Sequence, residues 1–160
     1  MNEAQINLLE KELHARLPYG IKGIASVKKL FPTVADWFFE EKNIDVEAEL
    51  IAIKYNDSIL LEYDSDGDYD DFDHYSLKDF KPYFRPMSSM TKEELKELRD
   101  IFNCGLDFNE WGFDILDSDY HSFSYLEICT IIDWLNAHHF DYRGLIEKGL
   151  ALVAPDGIYN

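Results

Sequence analysis

Two apolar runs organise the middle of this chain. Ala48 to Tyr55 and Ser58 to Tyr63 are rich in Ile, Leu and Tyr, and they flank Asn56-Asp57. Asn and Asp tolerate the positive φ of a tight turn, so the pattern predicts a β-hairpin over about 48–63. Gly20 to Val27 reads as a third strand, and Leu150 to Ala154 as a short further one. Lys81 to Met90, with Pro82 and Pro86, reads as an extended edge segment, because proline cannot donate to a ladder. No alternation of strand and helix suggests a parallel sheet, so an antiparallel one is expected.

Helix starts are marked by side chains. Asn2 with Gln5, Thr33 with Asp36, Ser76 with Asp79, Thr91 with Glu94 and Ser124 with Glu127 each place a capping group three residues before an acid or amide. The first accepts from an early helix N–H and the second reaches back to the cap. These starts predict helices over about 3–16, 34–42, 91–103 and 124–138, with one turn after Ser76 that Pro82 stops. A last short helix is expected over about 142–148, closed by Gly149. In the helix after Ser124, Tyr125, Ile128, Ile132 and Leu135 form one stripe while Leu126, Ile131 and Trp134 lie off it. A helix apolar on more than one side is expected at the centre of the core. The predicted fold is a single α+β domain over 1–160. It has a small antiparallel sheet, the 48–63 hairpin plus one or two further strands, packed with about five helices.

Charge changes the picture. The 160 residues carry a formal charge of −17, and two stretches hold all of it. Residues 55–77 contain eight acids and residues 100–142 contain nine, with no Lys or Arg in either, while the remainder balances 15 acids against 15 bases. A field this localised repels nucleic acid and attracts cations or basic surfaces. The 46% hydrophobic and 15% aromatic content excludes a disordered acidic tail. No apolar run approaches the ~20 residues of a membrane span, and the N-terminus lacks the pattern of a secretion signal. Cys104 and Cys129 share no metal or redox spacing and read as reduced thiols, with a disulfide between them as the alternative. A cytoplasmic protein is expected.

The sharpest local pattern is Asp64, Asp66, Asp68 and Asp70 at every second position, which matches the start of a calcium loop. The match ends where Tyr69 replaces the turn glycine and Tyr75 the bidentate Glu, so a solvated acidic loop is the preferred reading. Aromatic residues are interspersed with the acids: Tyr63, Tyr69, Phe72 and Tyr75, then Phe108, Trp111, Phe113, Tyr120 and Phe123. Should these loops share a face, Asp66, Asp68, Asp70, Asp71, Asp73, Asp114, Asp117 and Asp119 would bind a basic protein, the rings giving contact area and the acids steering. The competing reading puts most of these rings in the core. His138-His139 end a helix, where an imidazole meets the negative end of the dipole. They point about 100° apart and do not form a metal pair. His74 and His121 lie among acids, which favour their charged forms and predict some sensitivity to pH.

No nucleophile motif, phosphate-cradling glycine loop or metal-ligand spacing occurs, so no cofactor, metal or catalytic residue is assigned. The basic residues Lys78, Lys81, Arg85, Lys92, Lys96 and Arg99 read as a salt-bridged face rather than a nucleic-acid surface.

Three stretches carry a family resemblance: Ala15 to Gly20, Lys81 to Thr91 (KPYFRPMSSMT) and Asn136 to Leu150 (NAHHFDYRGLIEKGL). Together they resemble a set of short uncharacterised proteins carried by gut anaerobes, their prophages and mobile elements. The resemblance implies a bacterial or phage cytoplasmic setting and supplies no activity, cofactor or site residue. The functional expectation is a non-enzymatic, monomeric interaction domain with a basic protein partner. The alternatives are a DNA-mimic inhibitor of a nucleic-acid-handling host protein and a small enzyme without a recognisable motif.

Overall fold

The structure, a computed structural model, describes residues 1–32, 39–54, 58–63, 74–102, 106–109, 112–115 and 124–159. Among these stand three α-helices and eight strands. The helices are α1 (Glu3–Arg16), α2 (Lys92–Phe102) and α3 (Tyr125–Ala137). The strands are β1 (Ile21–Pro32), β2 (Phe39–Ile53), β3 (Ser58–Glu62), β4 (His74–Ser76), β5 (Phe80–Phe84), β6 (Leu106–Asn109), β7 (Gly112–Ile115) and β8 (Leu152–Val153).

Six strands form one sheet in the order β4-β3-β2-β1-β5-β8, and β6 pairs with β7 in a separate hairpin. The fold is α+β, but the sheet is neither small nor purely antiparallel, and the helices are three rather than about five. The difference has identifiable causes. β1 and β2 pair over their whole length, from Ile21↔Leu50 to Pro32↔Phe39, so 39–42 is strand where the end of a helix was expected. The rest of that predicted helix, including the Thr33–Asp36 box, lies outside the described residues. Residues 142–148 form successive turns, because Gly144 has φ +69° and the Asp141 carboxylate accepts from Leu145 and Ile146 N–H, each at 2.8 Å.

β5 is an interior strand rather than an edge. Phe80–Pro82 pair antiparallel with β1, while Tyr83 and Phe84 pair parallel with Leu152 and Val153 of β8. Pro82 thus sits where the first ladder ends and no second N–H is demanded of it. The crossing is close: a Cβ on Gly23 of β1 would stand 2.4 Å from the Lys81 carbonyl. Only glycine lets the strands meet here.

The main core joins α1, through Leu9 and Leu13, to sheet residues such as Ile21, Leu50, Ile59, Leu61, Phe80 and Phe84. A second cluster holds Leu98 of α2 against Ile131, Trp134 and Leu135 of α3 and Phe140. Between the two lies a buried charge cluster. Arg16 is 0% exposed and Glu12 1%. One Arg16 nitrogen donates to the Glu12 carboxylate, and Nη2 donates to the Phe140 carbonyl at 2.9 Å. The guanidinium packs 4.5 Å from the Phe84 ring centroid and 5.1 Å from that of Tyr142. Arg143 Nε approaches the other Glu12 oxygen at 2.5 Å. Among the described residues Arg16 Nε finds no hydrogen-bond acceptor, and Arg143 Nε meets Glu12 as an ion pair without a hydrogen bond.

Glu12→Ala removes the shared carboxylate and leaves Arg16 charged in the interior. Breaking a buried pair on one side typically costs about 3–5 kcal/mol, and urea unfolding at neutral pH is expected to show a loss of that size. A loss near zero would mean that Glu12 does not hold Arg16.

Candidate interaction surface

The predicted site residues fall almost wholly outside the described structure. Asp64, Asp66, Asp68, Asp70, Asp71, Asp73, Asp117 and Asp119 lie there, as do His121 and Cys104. Of the partner-binding candidates, Asp114 alone is placed, by its backbone, on β7 opposite Asp107 of β6. Cys129 is a free thiol. Tyr63 and Tyr75 are half-buried against the main core in an edge-to-face contact, their hydroxyls 2.9 Å apart, as the core reading of the rings anticipated. The basic face is partly neutralised by ion pairs, Arg85 with Glu94 and Lys96 with Asp100. Among the described residues no group of three or more His, Cys, Asp and Glu is placed to hold a metal ion. No helix among them is long and apolar enough to cross a membrane.

An open cleft of about 540 Å³ lies beside Arg85, walled by Thr91 and Glu94 and by residues 153–159. Arg85 points both guanidinium ends at Glu94, at 2.6 and 2.9 Å, and stacks 4.2 Å over the Phe140 ring. Burial acts to raise the Glu94 carboxyl, but hydrogen bonds from Arg85 and Thr91 outweigh it and hold the group at about 2. Glu94 is thus a paired carboxylate that accepts from Arg85 and from Thr91 N–H. Ser89 Oγ donates to the Pro86 carbonyl at 2.8 Å instead of to a base. The cleft walls mix these committed polar groups with apolar Pro86, Val153, Pro155 and Ile158 and with the carboxylate of Asp156.

Behind it, α3 ends in a Schellman turn. His139 N–H donates to Asn136 and Phe140 N–H to Leu135, which places His139 at φ 57°, where glycine is usual. The Trp134 and Phe140 rings stack at 5.9 Å and supply the apolar contact that accompanies this turn. His138 Nδ1 lies 2.8 Å from the Trp134 carbonyl, which can only accept, so that nitrogen carries the proton. His139 is buried against Tyr159, ring centroids 3.7 Å apart, and its Nδ1 has no partner. The Tyr159 hydroxyl accepts from Lys22 N–H at 3.2 Å and donates to the Tyr83 carbonyl at 2.8 Å. Burial pushes that phenol up to about 12.

The exposed feature is apolar. In α3 only the second half is packed, through Ile131, Trp134 and Leu135, so the helix is not central to the core. Its first turn, capped by Ser124 and Glu127, presents Tyr125 at 84%, Leu126 at 74% and Ile128 at 44% exposure, and Ile101 of α2 is 46% exposed. All four lie in the stretch 100–142, which has nine acids and no Lys or Arg. The apolar stripe was legible in the sequence; its exposure was not, because periodicity says which side chains share a face and not what covers them. No known family model, curated protein or solved structure matches the chain.

Burial, and after it the charge of Arg16, lowers the His139 imidazole to about 4, with His138 and Arg85 adding to the effect and a hydrogen bond with the Tyr19 backbone opposing it. Its folded value lies below the unfolded one, near 6.5, so acid protonates the unfolded chain first. Stability from this group is complete above pH 6.5 and falls by about 3 kcal/mol in all as pH drops to 4. His139→Asn, which tolerates positive φ and does not titrate, is expected to remove that part of the slope in urea titrations across this window. An unchanged slope would place the titration elsewhere.

Proposed function

We propose that the protein is a non-enzymatic binding module of the bacterial or phage cytoplasm whose partner is a basic protein. The observation that carries this reading is the exposure of Tyr125 and Leu126 within a stretch that holds nine acids and no Lys or Arg. Exposed Tyr and Leu give contact area that is released from water on binding, and fixed negative charge steers a basic partner and disfavours nucleic acid. In the nearest cleft Arg85 and Glu94 are committed to each other. The acids of the stretch 64–73 would add to the steering.

Immobilised protein is expected to retain a discrete basic protein from bacterial lysate at low salt and to release it at high salt, because screening weakens charge-driven association. Tyr125→Ser with Leu126→Ser is expected to weaken that partner at least tenfold, about 1.4 kcal/mol. Reversing Asp66, Asp68 and Asp70 to Lys should slow association most at low salt. Retention of the same partner by both variants at wild-type strength would remove these surfaces from the reading.

A further inference from the structure

Resting on the reading of a basic protein partner, we infer that this partner adds a β-strand to the open edge of β2. β2 is interior to the sheet over only part of its length. β1 lies along one side of it from Phe39 to Leu50 without a break in register. β3 covers the other side from Glu49 to Ile53. Among the described residues, Phe39–Ala48 therefore has no strand on that second side. In an antiparallel pair every second residue turns its N–H and C=O away from the neighbouring strand, so this run offers a row of main-chain donors and acceptors. Such a row takes an extended segment by its backbone, and the side chains beside it select which segment.

Those side chains sort by face. Toward the core, Leu50 and Ala48 are buried, Val46 and Ile44 are half-buried, and Lys42 and Glu40 are exposed. The apolar layer thins out along β2, and apolar side chains on an added strand would extend it beside Val46 and Ile44. The opposite face carries Glu47, Asp45, Asn43 and Glu41, all exposed and successively about 7 Å apart along the strand. Glu41 is paired with Lys28 of β1 at 3.2 Å, whereas among the described residues no ion pair involves Asp45 or Glu47. Opposite charges across a ladder stabilise it, so the matching strand alternates Lys or Arg on this face with apolar residues on the other. The same charges disfavour the β2 edge of a second copy, which would set carboxylate against carboxylate. Beyond Ala25, where β5 stops, β1 also has no strand on its far side among the described residues. Lys28 and Lys29 stand there, both exposed, and repel a basic strand.

The probe is a fluorescent peptide of about eight residues that alternates Lys and Val, measured by anisotropy against the full chain at near-physiological salt. Two further versions carry N-methyl groups on the Lys amides or on the Val amides. Successive amides point to opposite edges of a strand, so each version blocks one edge and keeps the charge and the side chains. The parent is expected to bind, one methylated version about tenfold more weakly, and the other like the parent. Asp45→Lys with Glu47→Lys is expected to weaken the parent at least tenfold; both positions are exposed, and unchanged circular dichroism would confirm that the variant folds. Equal binding of the three peptides means attraction by charge alone and overturns strand addition, as does indifference to the double variant. Self-assembly in sedimentation that the double variant abolishes also overturns it, since a second copy would then hold the edge. If the peptides fail while the lysate partner is still lost on Tyr125→Ser with Leu126→Ser, the binding reading stands and strand addition falls. If the peptides behave as expected while the lysate yields no basic protein, the edge stands and the α3 surface falls.

Discussion

Arg16 is a full charge placed where water does not reach, and much of the fold can be read as the means of tolerating it. Taking a guanidinium out of water costs several kcal/mol unless its surroundings replace the lost solvation. Here the replacement is drawn from distant parts of the chain. Glu12 stands one helical turn away, the Phe140 carbonyl follows α3, and the rings of Phe84 and Tyr142 close over the two faces. Each partner is positioned by a different element, so helix, sheet and C-terminal turns must be correct together. A wholly apolar interior of the same volume could be more stable; the ion cluster instead ties one arrangement of these elements to a specific geometry.

The clamp also divides the molecule into two kinds of region. On one side α1 and the sheet bury a continuous apolar core. On the other, α2 and α3 share a small cluster and leave Ile101, Tyr125, Leu126 and Ile128 exposed. Near the clamp Arg85 and Glu94 are spent on one another. The exposed apolar side chains lie at the helix ends, Ile101 on α2 and Tyr125, Leu126 and Ile128 on α3.

Local signals in the sequence were legible where they are local in the structure. The boxes at Asn2–Gln5, Thr91–Glu94 and Ser124–Glu127 all form, and they mark the starts of the three helices. The hairpin of β2 and β3 and the single turn after Ser76 likewise follow from short-range chemistry. What could not be read depends on partners far along the chain. The extension of β2 back to Phe39 is imposed by β1, and the interior place of β5 by β8, against weak local preferences. The β6–β7 hairpin had a signal that went unused, since Leu106 and Phe108 alternate with polar residues opposite Phe113 and Ile115. Without a Gly or Asn turn between them, the alternation alone did not mark a hairpin. As for the site, the acidic bias was visible at once, whereas the exposed first turn of α3 depends on packing.

The parallel pairing of β5 with β8 has a consequence for synthesis. The meander from β1 to β3 can form soon after it leaves the ribosome, because its contacts are close in sequence. Arg16, however, finds the Phe140 carbonyl only across 124 residues, and the Tyr159 hydroxyl meets Lys22 across 137. At about 5–20 residues per second, the interval before Phe140 is made is roughly 6–25 s. Throughout that time the nascent chain carries a charge destined for its interior with no complete cage to receive it. The segment from Phe140 to Arg143 is therefore the late step: a chain that stalls or is cut before it leaves the Arg16 guanidinium without its carbonyl acceptor and without the Tyr142 ring.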